Sequence, residues 1–342
     1  MTNVRYPRAL SLGDQISVPA PSMGVPANLH SRLDRGVRDL EARGFTVVVG
    51  ESARRDGLVP APAAERRSEL SAAFAGPARA ILPPWGGELA VELVEELDWQ
   101  AFAADPKWFV GWSDIATLLM PLTITTGVAT LHGANLMDEP WELPTEFRRW
   151  TEVASLSAGT SFTQLSAPRR RSRPWGAWAD EPLTRDAAYE ATTSWRALDN
   201  DPTSQMHGRL IGGCLESVSL LAGSPFGDVS GFAERHAPEG VIVYLEVSGA
   251  EASTVLRMLW SLRLAGWFRH ATGVLIGRTT APGVEGLSQR GAIERALDDL
   301  GIPVIIDFDI GHQPPQLPLV NGALAEIELI QGRGRITQHL VP

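Results

Sequence analysis

The chain of 342 residues is 44% hydrophobic and 20% charged, the balance of a globular protein whose length allows one or two packed units. A formal net charge of -10 leaves no basic field to hold a phosphate backbone, which argues against a nucleic-acid polymer as partner. No apolar stretch approaches the roughly 20 residues of a membrane span, the N-terminus lacks the apolar core of a secretory signal, and the lone Cys214 has no disulfide partner, so a cytoplasmic protein away from membranes is expected. No Cys/His pair has zinc-site spacing, and neither metal nor organic cofactor is expected.

Short apolar runs alternate with helical patterns through the first half. A strand over 15–19 precedes a helix over 30–43 and the strand 45–49; a helix over 64–74 leads to the run 80–82 and the pair Gly86-Gly87. A helix over 89–97, an apolar run over 108–112, a helical stretch from Asp114 and a run over 128–131 follow. This rhythm predicts an α/β fold with a doubly wound, largely parallel sheet over residues 1–137. From 138 to 206 it gives way to a polar segment that nevertheless holds Trp141, Trp150, Trp175, Trp178 and Trp195, too much aromatic surface for a tether, so an ordered insertion is expected. A smaller C-terminal α/β domain over 207–342 is predicted from strands at 241–245, 272–276 and 303–308, helices at 252–265 and 290–300, and a β-rich end whose run 323–330 alternates like a half-exposed strand.

In open α/β sheets ligands bind beyond the carboxyl ends of strands, so polar residues that follow apolar runs are candidates. Ser113, Glu246 and His312 each do so, and together they supply a nucleophile, a base that takes its proton and a carboxylate that orients the base. Gly111-Trp112-Ser113-Asp114-Ile115 reads as a strand-turn-helix elbow without the second glycine of G-x-S-x-G. Taken singly, Ser113 could equally be a helix N-cap. His132 and His207 compete as bases, and Asp307 and Asp309 as acids. The Gly86-Gly87 turn could bring a backbone N–H to a developing oxyanion, together with the amide of Asp114.

Taken together, Leu12-Gly13-Asp14, Pro19-Ala20-Pro21-Ser22, Gly86-Gly87, Gly111-Trp112-Ser113-Asp114, His132-Gly133, Gly208-Arg209-Leu210-Ile211-Gly212-Gly213 and Asp309-Ile310-Gly311-His312 resemble the motifs of the LD-carboxypeptidase family of serine peptidases, over nearly the whole chain. The resemblance implies Ser113 as nucleophile, Glu246 as acid and His312 as base, beside the amides of Gly87 and Asp114 that the turn and the elbow themselves suggest as oxyanion donors. The chain departs from the family pattern at Cys214, where an asparagine is usual, at Ala134 and at Pro84-Trp85.

The 138–206 insertion is similar to that of the branch that confers immunity to microcin C by cleaving an amide between an aminoacyl group and a modified nucleotide. Trp85, Gly86, Trp178 and Trp195 are then expected to contact substrate, with the tryptophan faces as platforms for a base. Arg169, Arg170, Arg171 and Arg173 either meet a phosphate or form a solvated face. A small-molecule or short-peptide substrate and a homodimer are expected. Murein tetrapeptide cleavage in cell-wall recycling is the alternative within the family, and a non-catalytic protein that sequesters a small ligand is the alternative outside it. A class I amidotransferase would need cysteine at the elbow, and no G-x-G-x-x-G follows the first strands as a dinucleotide-dependent dehydrogenase would require.

Overall fold

The computed structural model describes residues 3–172 and 177–342 and, for Ala177 and Trp178, the backbone alone. Arg173, Trp175 and the Trp178 side chain therefore lie outside the described residues.

The first half builds β1 (Gln15–Val18), α1 (His30–Glu41), β2 (Thr46–Val49), α2 (Ala63–Ala75), β3 (Ala80–Ile81), α3 (Trp99–Ala104), β4 (Trp108–Gly111), α4 (Ala116–Thr126) and β5 (Thr130–His132). Helix α1 turns Leu33, Gly36 and Leu40 inward, the spacing that one buried helical face demands. Helix α4 has no polar face at all: the nine residues from Ala116 to Ile124 are all buried, because the helix is enclosed between the two halves of the molecule. The helix expected over 89–97 is instead a short 3-10 turn over Ala90–Leu93. There the Ala90 N–H donates to Asp114 rather than to its own helix, and Asp98 starts α3 by accepting from Ala101 N.

The segment between the halves contributes α5 (Trp150–Ala154), β6 (Ser161–Leu165), β7 (Arg169–Arg170), α6 (Ala177–Asp180), β8 (Ala191–Thr192) and β9 (Arg196–Ala197). The remainder forms β10 (Thr203–Cys214), α7 (Leu215–Val218), α8 (Val229–His236), β11 (Val241–Glu246), α9 (Ala252–Leu264), β12 (Ala271–Gly277), α10 (Gln289–Leu297), β13 (Val304–Phe308), β14 (Leu319–Asn321), β15 (Leu324–Ile330) and β16 (Arg333–His339).

Two main sheets result. The first runs β14-β5-β4-β3-β1-β2, parallel except that β14, from the end of the chain, pairs antiparallel with β5. The second runs β6-β16-β15-β10-β11-β12-β13-β9, with a parallel centre from β10 to β13 and antiparallel flanks. The intervening segment is ordered where it supplies the two edges, β6 against β16 and β9 against β13. Every residue of β11 is buried, as a central parallel strand covered on both faces requires. One apolar core runs from Phe109 of β4 through α4 to Ile211 of β10 and Val243 of β11, so the two halves are joined by packed side chains. Among the described residues no helix is long and apolar enough to cross a membrane.

Candidate active site

Strand β4 is wholly buried and leaves the sheet through Trp112 into a 3-10 turn, Ser113–Ile115, that leads into α4. At the turn Ser113 has φ 59°, left-handed backbone that a side-chain-bearing residue adopts at a cost of about 1–3 kcal/mol unless the surroundings impose it. The buried strand and helix on either side impose it here. The kink lifts the hydroxyl away from the helix N-terminus: Trp112 occupies the cap position without a side-chain capping bond, and Ser113 Oγ lies 3.1 Å from His312 Nε2. Ile115, where a second glycine was missing, packs against Gly111, and a Cβ on Gly111 would sit 2.7 Å from its Cγ2.

Glu246 ends β11, fully buried, and His312 follows β13 on a loop. The His312 Nδ1–H donates to Glu246 Oε2 at 2.8 Å, which leaves Nε2 to accept the Ser113 hydroxyl proton. Gly311, at φ 99°, passes so close that a Cβ there would meet Glu246 Oε2 at 2.7 Å. Burial disfavours the imidazolium of His312, yet the charge of Glu246, with Glu216 and Asp138 behind it, outweighs burial and raises its pKa. Glu246 responds in kind: burial pushes its carboxyl up, and His312 and His132 hold it below the usual range.

Among the described residues, none of the competing candidates is bonded to Ser113 Oγ. His132 is completely buried against Tyr244 without a hydrogen-bond partner, and burial lowers its pKa to about 4. His207 is exposed on β10. Asp307 pairs with Arg196. Asp309 is the anchor of the His312 loop: its buried carboxylate pairs with Arg278 and accepts from Ala167 N at 2.9 Å and Trp195 Nε1 at 2.7 Å.

That last bond corrects one expectation. Trp195 does not line the substrate site; it is fully buried, packed on Phe308 and Gly334 beneath β9, with its indole N–H held by Asp309. The arginine run also divides: Arg171 is buried near the Trp141 ring, whereas Arg169 and Arg170 form the small strand β7.

Trp85, Gly86 and Gly87 line a cavity of about 170 Å³ together with Ser113 and His312. Trp85 is oriented by its bond to Gly24 O at 3.1 Å. Gly86 lies against the serine, since a Cβ there would sit 2.9 Å from Ser113 Oγ and 3.0 Å from Asp114 N. The Asp114 side chain faces away, held by Ser22 Oγ at 2.6 Å and Ala90 N at 2.9 Å, which fixes the turn that carries its amide.

Sequence reasoning missed the remaining wall. Trp112 places its ring 4.4 Å from that of His312 and donates from Nε1 to Asp138 Oδ2 at 2.7 Å. Asp138 lines the cavity, and burial raises its pKa to about 6. The signal was the Asn135/Asp138 spacing just after His132-Gly133, which forms a capping box in the structure.

Cys214, Glu246 and His312 offer ligand atoms within 4.8 Å of one another. The Cys214 thiol, however, is pushed up by burial and by Glu246, and a bound cation would take the atoms that link His312 to Glu246.

Comparison with known proteins identifies the family and the fold. Residues 16–133 match the LD-carboxypeptidase N-terminal domain and residues 207–327 the LD-carboxypeptidase C-terminal domain. The chain is 25% identical over 341 residues to the microcin C7 self-immunity protein MccF of Escherichia coli, covering 96% of this chain and 94% of that one. It is 26% identical over 272 residues to the murein tetrapeptide carboxypeptidase of Pseudomonas aeruginosa, covering 78% and 76%. The solved structure of MccF in complex with aspartyl sulfamoyl adenosine superposes with a TM-score of 0.80 at 22% identity, over 98% of this chain and 99% of that one. The fold is thus shared throughout its length, and the chain belongs to the LD-carboxypeptidase family of serine peptidases.

Proposed function

We propose that this protein hydrolyses the amide bond that joins an aminoacyl group to a nucleotide, with Ser113 as nucleophile, His312 as general base and then acid, and Glu246 as the acid that orients it. The observation that carries the chemistry is the continuous relay from Ser113 Oγ to His312 Nε2 at 3.1 Å and from His312 Nδ1 to Glu246 Oε2 at 2.8 Å. His312 takes the hydroxyl proton as Oγ attacks the carbonyl carbon, and the backbone N–H groups of Gly87 and Asp114 receive the developing oxyanion. His312 then returns the proton to the leaving nitrogen, the C–N bond breaks, and water releases the acyl group from Ser113 by the same steps in reverse. In this reading residues 1–137 supply the nucleophile, 207–342 the acid and base, and 138–206 the insertion that meets the nucleotide, with Trp178 stacking on the base. A cytoplasmic homodimer completes the reading.

Support for the substrate class comes from MccF, aligned over nearly its whole length and solved with an aminoacyl sulfamoyl nucleoside. The Pseudomonas aeruginosa relative supports a second reading, removal of the C-terminal residue of a murein tetrapeptide. Incubation with an aminoacyl nucleotide amide and, separately, with a murein tetrapeptide, with products followed by mass spectrometry, decides between them. The proposal expects release of the free amino acid from the first and little turnover of the second; the opposite pattern establishes the murein reading.

A further inference from the structure

Asp138 occupies an unusual place for a carboxylate with a purely structural task. Its hydrogen bonds among the described residues all fall on one oxygen: Oδ2 accepts from Trp112 Nε1 at 2.7 Å and from Asn135 N at 3.1 Å. The other oxygen, Oδ1, takes no hydrogen bond from the described residues, and Asp138 lines the same cavity as Ser113 and His312. Met23, Trp85, Trp112 and Met137 make the rest of that wall largely apolar, and no lysine or arginine among the described residues lines it. Arg32 of α1, whose charge acts on Asp138, directs its Nε to Met137 O at 2.7 Å and its Nη1 to Thr184 O at 2.9 Å. Glu139 adds a second negative charge nearby.

A half-satisfied carboxylate beside a reactive serine, in a largely apolar cavity that no described lysine or arginine lines, is a site for a cationic donor. An aminoacyl substrate carries an α-ammonium one atom from the scissile carbonyl, so when the carbonyl meets Ser113 that ammonium must lie in this same small cavity. We propose that Asp138 is a specificity-determining residue that binds the α-ammonium of the acyl group through Oδ1. This inference rests on the aminoacyl reading above, and it adds that acylation of the amine is what the enzyme rejects.

Asp138→Asn isolates the charge, because an amide oxygen can still accept from Trp112 and Asn135 while an NH₂ replaces Oδ1. With Ser113→Ala protein, so that nothing is turned over, binding of an aminoacyl sulfamoyl adenosine is compared by calorimetry with binding of its N-acetyl derivative. The free amine is expected to bind about ten- to a hundred-fold more tightly, and Asp138→Asn to erase that ratio by weakening the free amine alone. Equal losses for both ligands, or a ratio that survives in Asp138→Asn, overturn the proposal.

A second arm separates it from the nucleotide reading. Alaninamide and N-acetylalaninamide are titrated against the protein while the indole N–H resonance of Trp112, assigned through Trp112→Phe, is followed. If neither nucleoside binds but alaninamide alone shifts that resonance in an Asp138-dependent way, the nucleotide reading fails and the ammonium site stands. If alaninamide produces no Asp138-dependent shift, the ammonium site fails.

Discussion

Replacing Gly86 by alanine adds a single methyl group against the serine hydroxyl. Gly86 does not use left-handed backbone, so its own conformation accepts alanine without strain. The added Cβ, however, would lie 2.8 Å from Ser113 Cβ, 2.9 Å from Ser113 Oγ and 3.0 Å from Asp114 N. Ordinary contact begins at 3.4 Å, so these atoms must separate by about half an ångström. Ser113 is already pinned in left-handed backbone between β4 and α4, and the movement falls on its Oγ and on the 3.1 Å link to His312. Misplacement of a reacting group on this scale costs about ten- to a hundred-fold in kcat. Steady-state kinetics on an aminoacyl nucleotide amide, beside thermal unfolding to show that the fold is kept, measure the effect. A wild-type kcat in Gly86→Ala would refute the close packing of this turn on the nucleophile.

Because His312 must be neutral to accept a proton and its pKa is raised by Glu246, the acid limb of kcat/KM should lie above pH 6.5; Glu246→Gln should move the limb down and lower kcat by about 10³–10⁴-fold, and a wild-type limb at or below 6.5 contradicts this. Trp195→Phe should cost about 1.5–3 kcal/mol in urea unfolding, through the lost bond to buried Asp309, while kcat/KM stays unchanged; a selective loss of substrate affinity would return Trp195 to the binding site. His132 has a folded pKa of about 4 against an ordinary 6.5, so the unfolded chain takes up its proton first as pH falls. Stability should therefore drop by roughly 3 kcal/mol between pH 6.5 and 4 on its account, and His132→Phe should flatten that slope; an unchanged slope would show that His132 does not titrate in this window.

Much of this was readable from the sequence because strand ends are local signals. Ser113, Glu246 and His312 each follow a run of apolar residues, and burial of β4, β11 and β13 is what makes those runs apolar. Strand β10 was not readable: its first part, paired with β15, alternates exposed and buried, and its last part, paired with β11, is buried throughout, so no single period describes its twelve residues. Helix α3 and strand β16 escaped for a related reason, being short or at a sheet flank where tertiary contacts decide. Trp195 misled because an aromatic residue in a polar segment looks like an exposed platform, whereas β9 folds it beneath the sheet edge. Asp138 escaped because its role depends on Trp112, distant in sequence and brought to it only by the fold.

The relay is tested most directly at its first atom. Ser113→Ala removes the nucleophile and leaves Glu246, His312 and the cavity wall in place. With an aminoacyl nucleotide amide as substrate, kcat should fall by about 10⁴–10⁶-fold, while a non-hydrolysable sulfamoyl analogue binds with nearly unchanged affinity. Near-normal turnover by that variant would contradict the assignment of Ser113, and with it the mechanism built on the Ser113, His312 and Glu246 geometry.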